Sequence, residues 1–522
     1  MELATIDIVV FVSYCIGIIS LGLYVSRTKK GVEKTSNDYF LAGNTLTWWA
    51  IGSSLIASNI SAEQFIGMSG SGYVVGLGIA TYEWMAAATL IVVGKFFLPV
   101  FVKMKIYTMP QFLEQRFDTR VRTTLAVFWI LVYVFVNLTS VLYLGALAMQ
   151  TIVGVPLVYG IIGLALFSAL YSIYGGLMAV AWTDVVQVIV LIFGGALTTY
   201  MALDAVGEGE GMWAGMAALY EKAPGKFDMI LDPSHPEYIN LPGLSVLIGG
   251  MWIVNLSYWG FNQYIIQRAL AAKSLGEAQR GVVFAGFLKM LMPFIVVIPG
   301  IAAYVLQADI TKPDEAYPWL LSSFVSPGFR GLAFAALIAA IVSSLSSMVN
   351  SVATIFTVDI YKQFINKQAN DSKLVLTGRV VSSIALFIAV LVAPQLVNLD
   401  QAFQFIQNFT GLVSPGVFAI FVFGMFWKKT TSNAALIAAI VTIPLGFLIE
   451  YLFPGTPFID RMGWVFLALV LIIVGISLIE LKGKNDPKAI HVEKSMFHTG
   501  TAFNVSAIVI FGLIAVLYAL FW

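Results

Sequence analysis

Long apolar segments follow one another along nearly the whole chain, separated by short polar or Gly/Pro-marked turns. An α-helix needs about 20 mainly apolar residues to cross the hydrocarbon core of a bilayer, and each segment has about that length. The pattern therefore predicts an all-α polytopic membrane protein. About fourteen spanning helices are predicted, near residues 6–25, 47–72, 79–101, 124–150, 153–175, 182–203, 243–268, 280–306, 329–358, 374–394, 400–425, 432–452, 461–481 and 501–521.

The composition also indicates a membrane protein, and it gives no support to a nucleic-acid-binding protein or a soluble enzyme. The 522 residues are 59% hydrophobic and 11% charged, and their mean hydropathy is +0.89. The net charge of +1 gives no indication of a nucleic-acid partner. The first segment has no basic region before it and no small-residue cleavage site, so we expect a retained helix. Short loops leave little room for a soluble catalytic domain, and residues 1–522 are treated as one membrane domain.

The distribution of basic residues predicts the orientation. An even number of helices places both termini on one side of the membrane. If the termini are external, 22 of the 29 Lys and Arg residues fall on the cytoplasmic side, five on the external side and two, Lys95 and Lys289, inside helices. Cytoplasmic loops of membrane proteins carry an excess of Lys and Arg, so the external placement of both termini is favoured.

Two of the apolar segments contain polar residues near their midpoints. The second segment, around Ser53 to Tyr73, contains Asn59-Ile60-Ser61, and the seventh contains Asn255-Leu256-Ser257. The two segments are five helices apart and run in opposite directions. Interrupted helices in corresponding positions of two inverted halves indicate a transporter binding site at the bilayer midplane. The alternative is that these Asn and Ser residues only hold helices together.

Long motifs identify a known family. The chain contains ASNISAEQFIGMSGSGY at 57–73, YWGFNQYIIQR at 258–268 and AALIAAIVSSL at 335–345. From Asp38 to Ser432 it resembles the sodium:solute symporters, and among them most closely the sodium/galactose symporters of bacteria. The resemblance implies Na+ as the co-transported ion and a bacterial inner membrane. It also implies a LeuT-type core of five plus five inverted-repeat helices. The implied parts are an extra helix at 6–25, a first repeat at 47–203 (helices 2–6), a second repeat at 243–425 (helices 7–11), and three further helices at 432–522.

Charges inside predicted helices are rare in membrane proteins and usually functional. Glu83 and Lys289 form one such set; together they can donate and accept hydrogen bonds without net charge, as a sugar site requires. The alternative is that Glu83 and Lys289 form a buried ion pair that binds no ligand. Lys95 lies near the end of its helix, and its side chain can extend to the membrane interface. The resemblance implies sugar contacts at Gln64, Glu83, Asn255 and Lys289, while Ala86 replaces a serine of the family. The full predicted substrate set is Gln64, Glu83, Asn255, Lys289, Tyr258, Gln407, Tyr82 and Asn59.

Aromatic residues are predicted to close this site. Asn255, Tyr258 and Trp259 share one helical face, as do Phe403 and Gln407. A pyranose packs its C–H face on a ring while its hydroxyls bind polar groups. The resemblance implies that Tyr258 closes the inner side. The predicted gate residues are Met68, Phe403, Tyr258, Trp259 and Tyr264.

A cation site is predicted between the second and ninth helices. The ninth has a small-residue face that allows close helix approach. The resemblance matches the family's sodium site at Ala57, Ile60, Ala340, Ser343 and Ser344. A further set, Asp184 with Ser343, Ser346 and Ser347, is either a second sodium site or part of the sodium exit path.

The predicted function is sodium-coupled uptake of a hexose, galactose or glucose, by alternating access. The expected partners are a sugar, Na+ and the lipid bilayer, with no nucleic acid and no obligatory protein partner. Two alternatives remain: symport of another neutral polyol such as inositol, and a membrane sensor or channel with a transporter-like core. An enzyme is not expected, because the chain has no HExxH or GxSxG motif and its three histidines fall in predicted loops.

Overall fold

The computed structural model describes residues 4–27, 35–398 and 402–522. Three of the predicted cytoplasmic charges, Lys29, Lys30 and Lys34, lie outside the described residues. The beginning of the eleventh predicted segment, at residues 400–401, does so as well. Within the described ranges the chain is helical, and its β-type pairing is limited to an isolated bridge between Leu46 and Ala272.

Helical structure is found at each of the predicted segments, and we number the helices α1 to α14 accordingly. α2 and α7 are each interrupted, and their halves are labelled a and b. The bounds are α1 Thr5–Val25, α2a Trp48–Asn59, α2b Glu63–Met68 with Ser69–Val74, α3 Leu77–Met104, α4 Thr119–Val153, α5 Leu157–Gly175, α6 Leu177–Val206, α7a Gly250–Phe261, α7b Gln263–Leu270, α8 Leu275–Val305, α9 Phe329–Ile365, α10 Asp371–Val392, α11 Ala402–Phe426, α12 Ser432–Leu452, α13 Phe458–Leu481 and α14 Thr501–Leu520.

The predicted number of fourteen spans is not confirmed. Twelve helices of the described chain are long and apolar enough to cross a membrane. A thirteenth is added if Pro236–Ile248 and Gly250–Phe261, which meet at an angle of 79°, are counted as one span. α2 is not among the twelve, because its interruption at Ile60 leaves two short pieces.

The interruption of α2 frees backbone carbonyls. Ile60 has an extended conformation (φ −79°, ψ 100°) and ends α2a. The Ser61 amide then donates to the side-chain carbonyl of Gln64 at 2.9 Å, instead of to the Ala57 carbonyl four residues back. The Gln64 amide donates to the Ser61 carbonyl at 3.2 Å, instead of to that of Ile60. The carbonyls of Ala57 and Ile60 are thereby released from their helical partners.

The interruption of α7 lies further along the chain than predicted. α7a continues through Asn255, whose side-chain amide donates to the Met251 carbonyl one turn back at 3.1 Å and so fits within a regular helix. The break is at Asn262 (φ −79°, ψ 121°). There the Tyr133 hydroxyl of α4 donates to Asn262 Oδ1 at 2.6 Å and accepts from the Gln263 amide at 3.0 Å. A side chain from another helix therefore stabilises the break, which local sequence does not reveal. α2a and α7a both have 12 residues before their breaks.

The helices form a buried centre and an apolar periphery. α6 packs along α9, and α2a packs between α6 and α8. In the apolar 18-residue stretch of α9, 94% of the residues are buried. The corresponding fractions are 11% in α1 and 17% in α14. Large apolar side chains stay exposed on the outer helices, as expected of a surface in contact with lipid. α9 and the broken helices therefore form the centre of the molecule.

One predicted surface charge is in this centre. The orientation argument placed Arg268 among the cytoplasmic charges, but its residue exposure is 0%. Arg268 lies in the last turn of α7b, and α7b packs against α2a and α9 instead of projecting from the membrane. Arg116 and Arg122 are also buried, at the ends of neighbouring helices, where they bind carbonyls and carboxylates.

Candidate functional site

A cavity of about 480 Å³ lies beside the two broken helices. Its walls come from α2, α3, α7a, α8 and α11. All eight residues of the predicted substrate set line it: Asn59, Gln64, Tyr82, Glu83, Asn255, Tyr258, Lys289 and Gln407. Ala86, Val254 and Thr410 complete the wall near them.

The charged residues of the wall form a buried pair. The Lys289 ammonium donates to Glu83 Oε2 and to Asn59 Oδ1, and it lies 5.1 Å from the centre of the Trp259 ring. Lys289 is 0% exposed and Glu83 is 3% exposed. Buried charges of opposite sign must be closely paired to offset their desolvation. The pair thus presents donors and acceptors to the cavity without adding net charge.

The sequence analysis missed Glu63. This residue lines the cavity, is 8% exposed, and its Oε1 atom has no hydrogen-bond partner among the described residues. Its amide is held by the Ser61 hydroxyl at 3.0 Å, so the side chain is positioned by the break in α2. The rule applied to Glu83, that a charge within a spanning segment is usually functional, would also have selected Glu63.

Tyr258, which is predicted to close the inner side, lines the cavity. Its hydroxyl accepts from Asn59 Nδ2 at 3.0 Å and shares a hydrogen bond of 2.7 Å with the Tyr264 hydroxyl. Tyr264 does not line the cavity; it lies behind Tyr258 on α7b. Trp259 packs its ring against Tyr258 at 5.3 Å between centroids and lines the wall.

Phe403 and Met68, which are predicted gate residues, both line the cavity and are each 1% exposed. The Phe403 ring meets the Tyr82 ring edge to face, with 5.3 Å between centroids. Phe403 also packs directly on Gly67, where an added Cβ would lie 2.8 Å from the Phe403 Cβ. A side chain at position 67 would therefore push Phe403 out of place.

A second cavity lies on the other side of Tyr258. It has about 600 Å³ of empty space between α2, α4, α7 and α11. It shares four wall residues with the first cavity, namely Glu63, Tyr258, Gln407 and Thr410. Tyr258 is therefore one of the four residues that lie between the two cavities.

Two of the predicted cation residues, Ala57 and Ser344, meet where α2a approaches α9. The Ser344 hydroxyl donates to the carbonyls of Ser58 at 3.0 Å and Ala57 at 3.4 Å. α9 is a regular helix through Ala340. Ile60 and Ala57 supply the released carbonyls described above. Unwound backbone carbonyls of this kind coordinate Na+ in transporters with broken helices.

The residues of the predicted second sodium set are only partly together. Asp184 accepts from the Ser54 and Ser343 hydroxyls, each at 2.5 Å. Ser347 instead contacts the Ser58 hydroxyl at 2.8 Å and receives a hydrogen bond from Arg268. Ser346 is turned toward α5, where its hydroxyl lies 3.0 Å from that of Ser168. Arg268 and Ser54 belong to this cluster, and the sequence analysis did not place them there.

The chain is similar to known transporters over most of its length. A model of the sodium:solute symporter family matches residues 39–442. A sodium/glucose cotransporter of Vibrio parahaemolyticus is 56% identical, covering 100% of this chain and 99% of that protein. A sodium/myo-inositol cotransporter 2 of Sus scrofa is 34% identical over 86% of this chain and 70% of its own length.

Solved structures share the fold. A Na+-coupled sialic acid symporter, solved with substrate in an outward-open state, matches with a TM-score of 0.79 and 24% identity, over 91% of this chain and 98% of that one. A nucleobase-cation-symport-1 family transporter in a closed conformation matches with a TM-score of 0.55 and 12% identity, over 91% and 99%. The predicted LeuT-type helical fold is confirmed by these similarities.

Proposed function

Because the chain belongs to the sodium:solute symporter family, we propose that it uses a sodium gradient to carry a neutral hexose, galactose or glucose, into a bacterial cell. The observation that supports this most strongly is that one broken helix, α2, contributes both released carbonyls and a residue of the cavity wall. The carbonyls of Ala57 and Ile60 are released at the break, Ser344 of α9 donates to Ala57, and Gln64 lies in the cavity wall one turn further on. The 56% identity with a sodium/glucose cotransporter supports the choice of sugar.

The sugar is assigned to the cavity of about 480 Å³. Glu83 and Asn59 offer acceptors, Lys289 offers donors, and the amides of Gln64, Asn255 and Gln407 offer both. Trp259 and Tyr258 supply ring faces for the C–H surface of a pyranose. The paired charges of Glu83 and Lys289 favour a neutral substrate over an anion, since no cation remains unpaired in that part of the wall.

Sodium is assigned to the contact between α2a and α9. Its ligands in this proposal are the carbonyls of Ala57, Ile60 and Ala340 and the hydroxyls of Ser343 and Ser344. Each of these atoms is an oxygen, the ligand type that a hard cation requires. A carbonyl oxygen has two lone pairs, so Ala340 can serve without leaving its helix.

In this proposal, transport follows from the order in which the outer and inner sides of the sugar cavity close and open. Sodium joins α2a to α9 and holds the outward-facing form, the sugar enters, and Phe403 with Met68 closes the outer side. Loss of sodium to the cytoplasm loosens α2a, and the sugar leaves past Tyr258 through the second cavity. A potential of 100 mV contributes about 2.3 kcal/mol per charge and a tenfold sodium gradient about 1.4 kcal/mol, which together sustain roughly a 500-fold sugar gradient per sodium.

The proposed location is the inner membrane, with both termini external. The excess of Lys and Arg in the loops that this orientation places in the cytoplasm supports it. The same orientation makes α2 run outward and α7 inward, which the inverted halves require. On this basis we assign the first repeat to 47–203 and the second to 243–425, with 6–25 and 432–522 outside the core.

A second substrate is supported by a specific observation. The 34% identity with a sodium/myo-inositol cotransporter extends over 86% of this chain. Inositol is also a neutral ring polyol, and the pair of Glu83 and Lys289 would suit it equally. Ala86, which lines the cavity, removes a hydroxyl that would have helped to select one sugar epimer.

Uptake into proteoliposomes tests the proposal. Radiolabelled galactose, glucose and inositol are offered to vesicles with an inward sodium gradient or with choline in its place. We expect galactose or glucose to accumulate above its equilibrium level only with sodium. Equal uptake in sodium and choline would contradict the proposal, and preferential accumulation of inositol would replace hexose by that polyol.

A further inference from the structure

A groove of about 1130 Å³ lies at the periphery of the molecule, between the first turns of α2a, α8 and α14. The proposed transport cycle uses none of its lining residues. In the orientation proposed above, all three helices begin at the cytoplasmic side, so the groove lies in the inner leaflet of the bilayer. α14 is a peripheral helix, since 17% of its apolar 18-residue stretch is buried. The groove is therefore open to lipid.

The floor of the groove is a small apolar cluster. Val283 of α8 and Phe503 of α14 belong to a cluster that is separate from the main core, and Phe287 packs against it. At the edge of the groove the Trp48 ring of α2a meets the Phe284 ring edge to face, with 5.4 Å between centroids. These side chains offer an apolar surface on which an acyl chain can pack.

The polarity of the lining changes along α8. Gln279 and Arg280 lie about one and a half turns after the start of the helix, and Phe287 lies roughly 10 Å deeper. Trp48 is 38% exposed and lies at the level of the first turn of α8, because its amide donates to Glu277 Oε2 at 2.7 Å. Tryptophan at the end of a spanning segment is typical of the membrane interface. The groove is thus polar near the membrane surface and apolar below it, as a phospholipid is.

The charge at the polar end of the groove is positive. The Arg280 side chain is 72% exposed, and its Nη1 atom lies 3.9 Å from Glu277 Oε1. An exposed ion pair of that length contributes little, so Glu277 offsets the charge of Arg280 only weakly. A guanidinium binds phosphate oxygens through paired N–H donors, and the cytoplasmic leaflet carries anionic lipids. The charge of Arg280 therefore complements a lipid phosphate at the same depth.

We propose that this groove binds one anionic phospholipid of the cytoplasmic leaflet, with its phosphate at Arg280 and an acyl chain along Phe284, Phe287 and Phe503. The bound lipid contacts the first turns of α2a, α8 and α14 together, and so stabilises the packing of the peripheral helix. Its binding requires neither sugar nor sodium. Only the choice of leaflet rests on the proposed orientation.

The test measures the Tm of delipidated protein in detergent against the concentration of added phosphatidylglycerol, with zwitterionic phosphatidylcholine for comparison. A lipid that binds the folded protein raises Tm as its concentration rises. We expect a larger rise with phosphatidylglycerol. In Arg280→Gln the concentration for half of the maximal rise should increase roughly fivefold, the effect of one basic residue near an anionic surface. Lys273→Gln is the matched control, because Lys273 is exposed at the same end of α8 but does not line the groove.

A second pair of variants tests the apolar part of the groove. Ser506 lines the groove, so Ser506→Trp places a large ring inside it. Val505→Trp places the same ring on the outer side of α14, where Val505 is 53% exposed. We expect Ser506→Trp to abolish the rise of Tm with phosphatidylglycerol and Val505→Trp to retain it. An unchanged rise in folded Ser506→Trp would refute the proposal.

Other results would overturn the proposal as well. Equal responses to the two lipids would do so, and equal losses in Arg280→Gln and Lys273→Gln would indicate a diffuse surface charge instead. An equal response to inorganic phosphate would show an anion site that needs no lipid. Native mass spectrometry should detect one bound phosphatidylglycerol; a dimer that Ser506→Trp dissociates would assign the groove to a second copy of the chain. Failure of the proposed transport function would leave these readings unaffected, because they use no sugar and no sodium gradient.

Discussion

At the scale of single residues, the Lys289 side chain combines a proposed role in sugar binding with a structural constraint. Two of the three donors of its ammonium group are directed at Glu83 and Asn59. A sugar hydroxyl that enters the cavity can bridge the same groups, so the pair is ordered before the ligand arrives. Such ordering reduces the entropy that binding must offset. The constraint is that neither charge can be removed alone.

Removing the two charges singly and together separates these roles. Glu83→Gln or Lys289→Met alone leaves one buried charge without its partner, which costs about 3 to 5 kcal/mol. We expect each single variant to lower Tm in a thermal-shift assay and to abolish sugar uptake. The double variant should recover most of the lost stability but no uptake. A double variant as unstable as the singles would show that the pair is not the cause.

The hydroxyl of Tyr258 provides a second residue-scale prediction. Tyr258→Phe keeps the ring but removes the hydrogen bonds to Asn59 and Tyr264, each worth about 1 kcal/mol. The open form of the inner gate should become more populated by up to roughly 30-fold. The measurement is faster efflux of preloaded sugar from proteoliposomes. Tyr264→Phe, which removes one of the two bonds, should give a smaller increase, and equal rates in all three proteins would exclude Tyr258 as a gate.

At the scale of elements, the broken helix α2 connects the two proposed ligand sites. The Gln64 side chain both satisfies the Ser61 amide at the break and forms part of the cavity wall. The inner ends of the two broken helices are also joined, since the Leu46 amide donates to the Ala271 carbonyl at 3.2 Å and the Lys273 amide donates to Leu46 at 3.0 Å. A shift of α2a on sodium release would therefore also move the end of α7b.

The contact between α2a and α9 is tested by Ser344→Ala. The change removes the hydroxyl that binds the carbonyls of Ala57 and Ser58. We expect the sodium concentration for half-maximal uptake to rise by roughly tenfold, equivalent to about 1.4 kcal/mol, with the maximal rate retained. Ser351→Ala is the matched control, because Ser351 is buried on the same helix but bonds to Gln267. A rise of the same size in both variants would contradict the assignment.

The two breaks differ in how far sequence could predict them. The α2 break was predicted at Asn59 to Ser61, because the residues that satisfy it, Ser61 and Gln64, follow directly in the chain. The α7 break was placed about seven residues too early. Its stabilising group is Tyr133, a residue 130 positions away, whose hydroxyl has no local sequence signal.

At the scale of the whole molecule, the all-helical fold could be predicted because spanning helices must be apolar and of defined length. The eight predicted cavity residues come from five different helices, and motif resemblance, not periodicity, brought them together. Arg268 could not be placed, because a basic residue near the end of a spanning segment normally reaches the membrane surface. Its burial depends on Asp184 and Ser54, which come from two other helices.

Coupling between the two ligands is the central claim, and the reverse experiment tests it most directly. Proteoliposomes with equal sodium on both sides are given an inward gradient of galactose or glucose, and ²²Na+ entry is followed with the membrane potential held at zero. Coupled symport predicts a transient rise of ²²Na+ above its equilibrium level, which disappears in Ser344→Ala at low sodium. Downhill sugar entry without that rise would contradict the account, because sodium would then only activate the protein and not travel with the sugar.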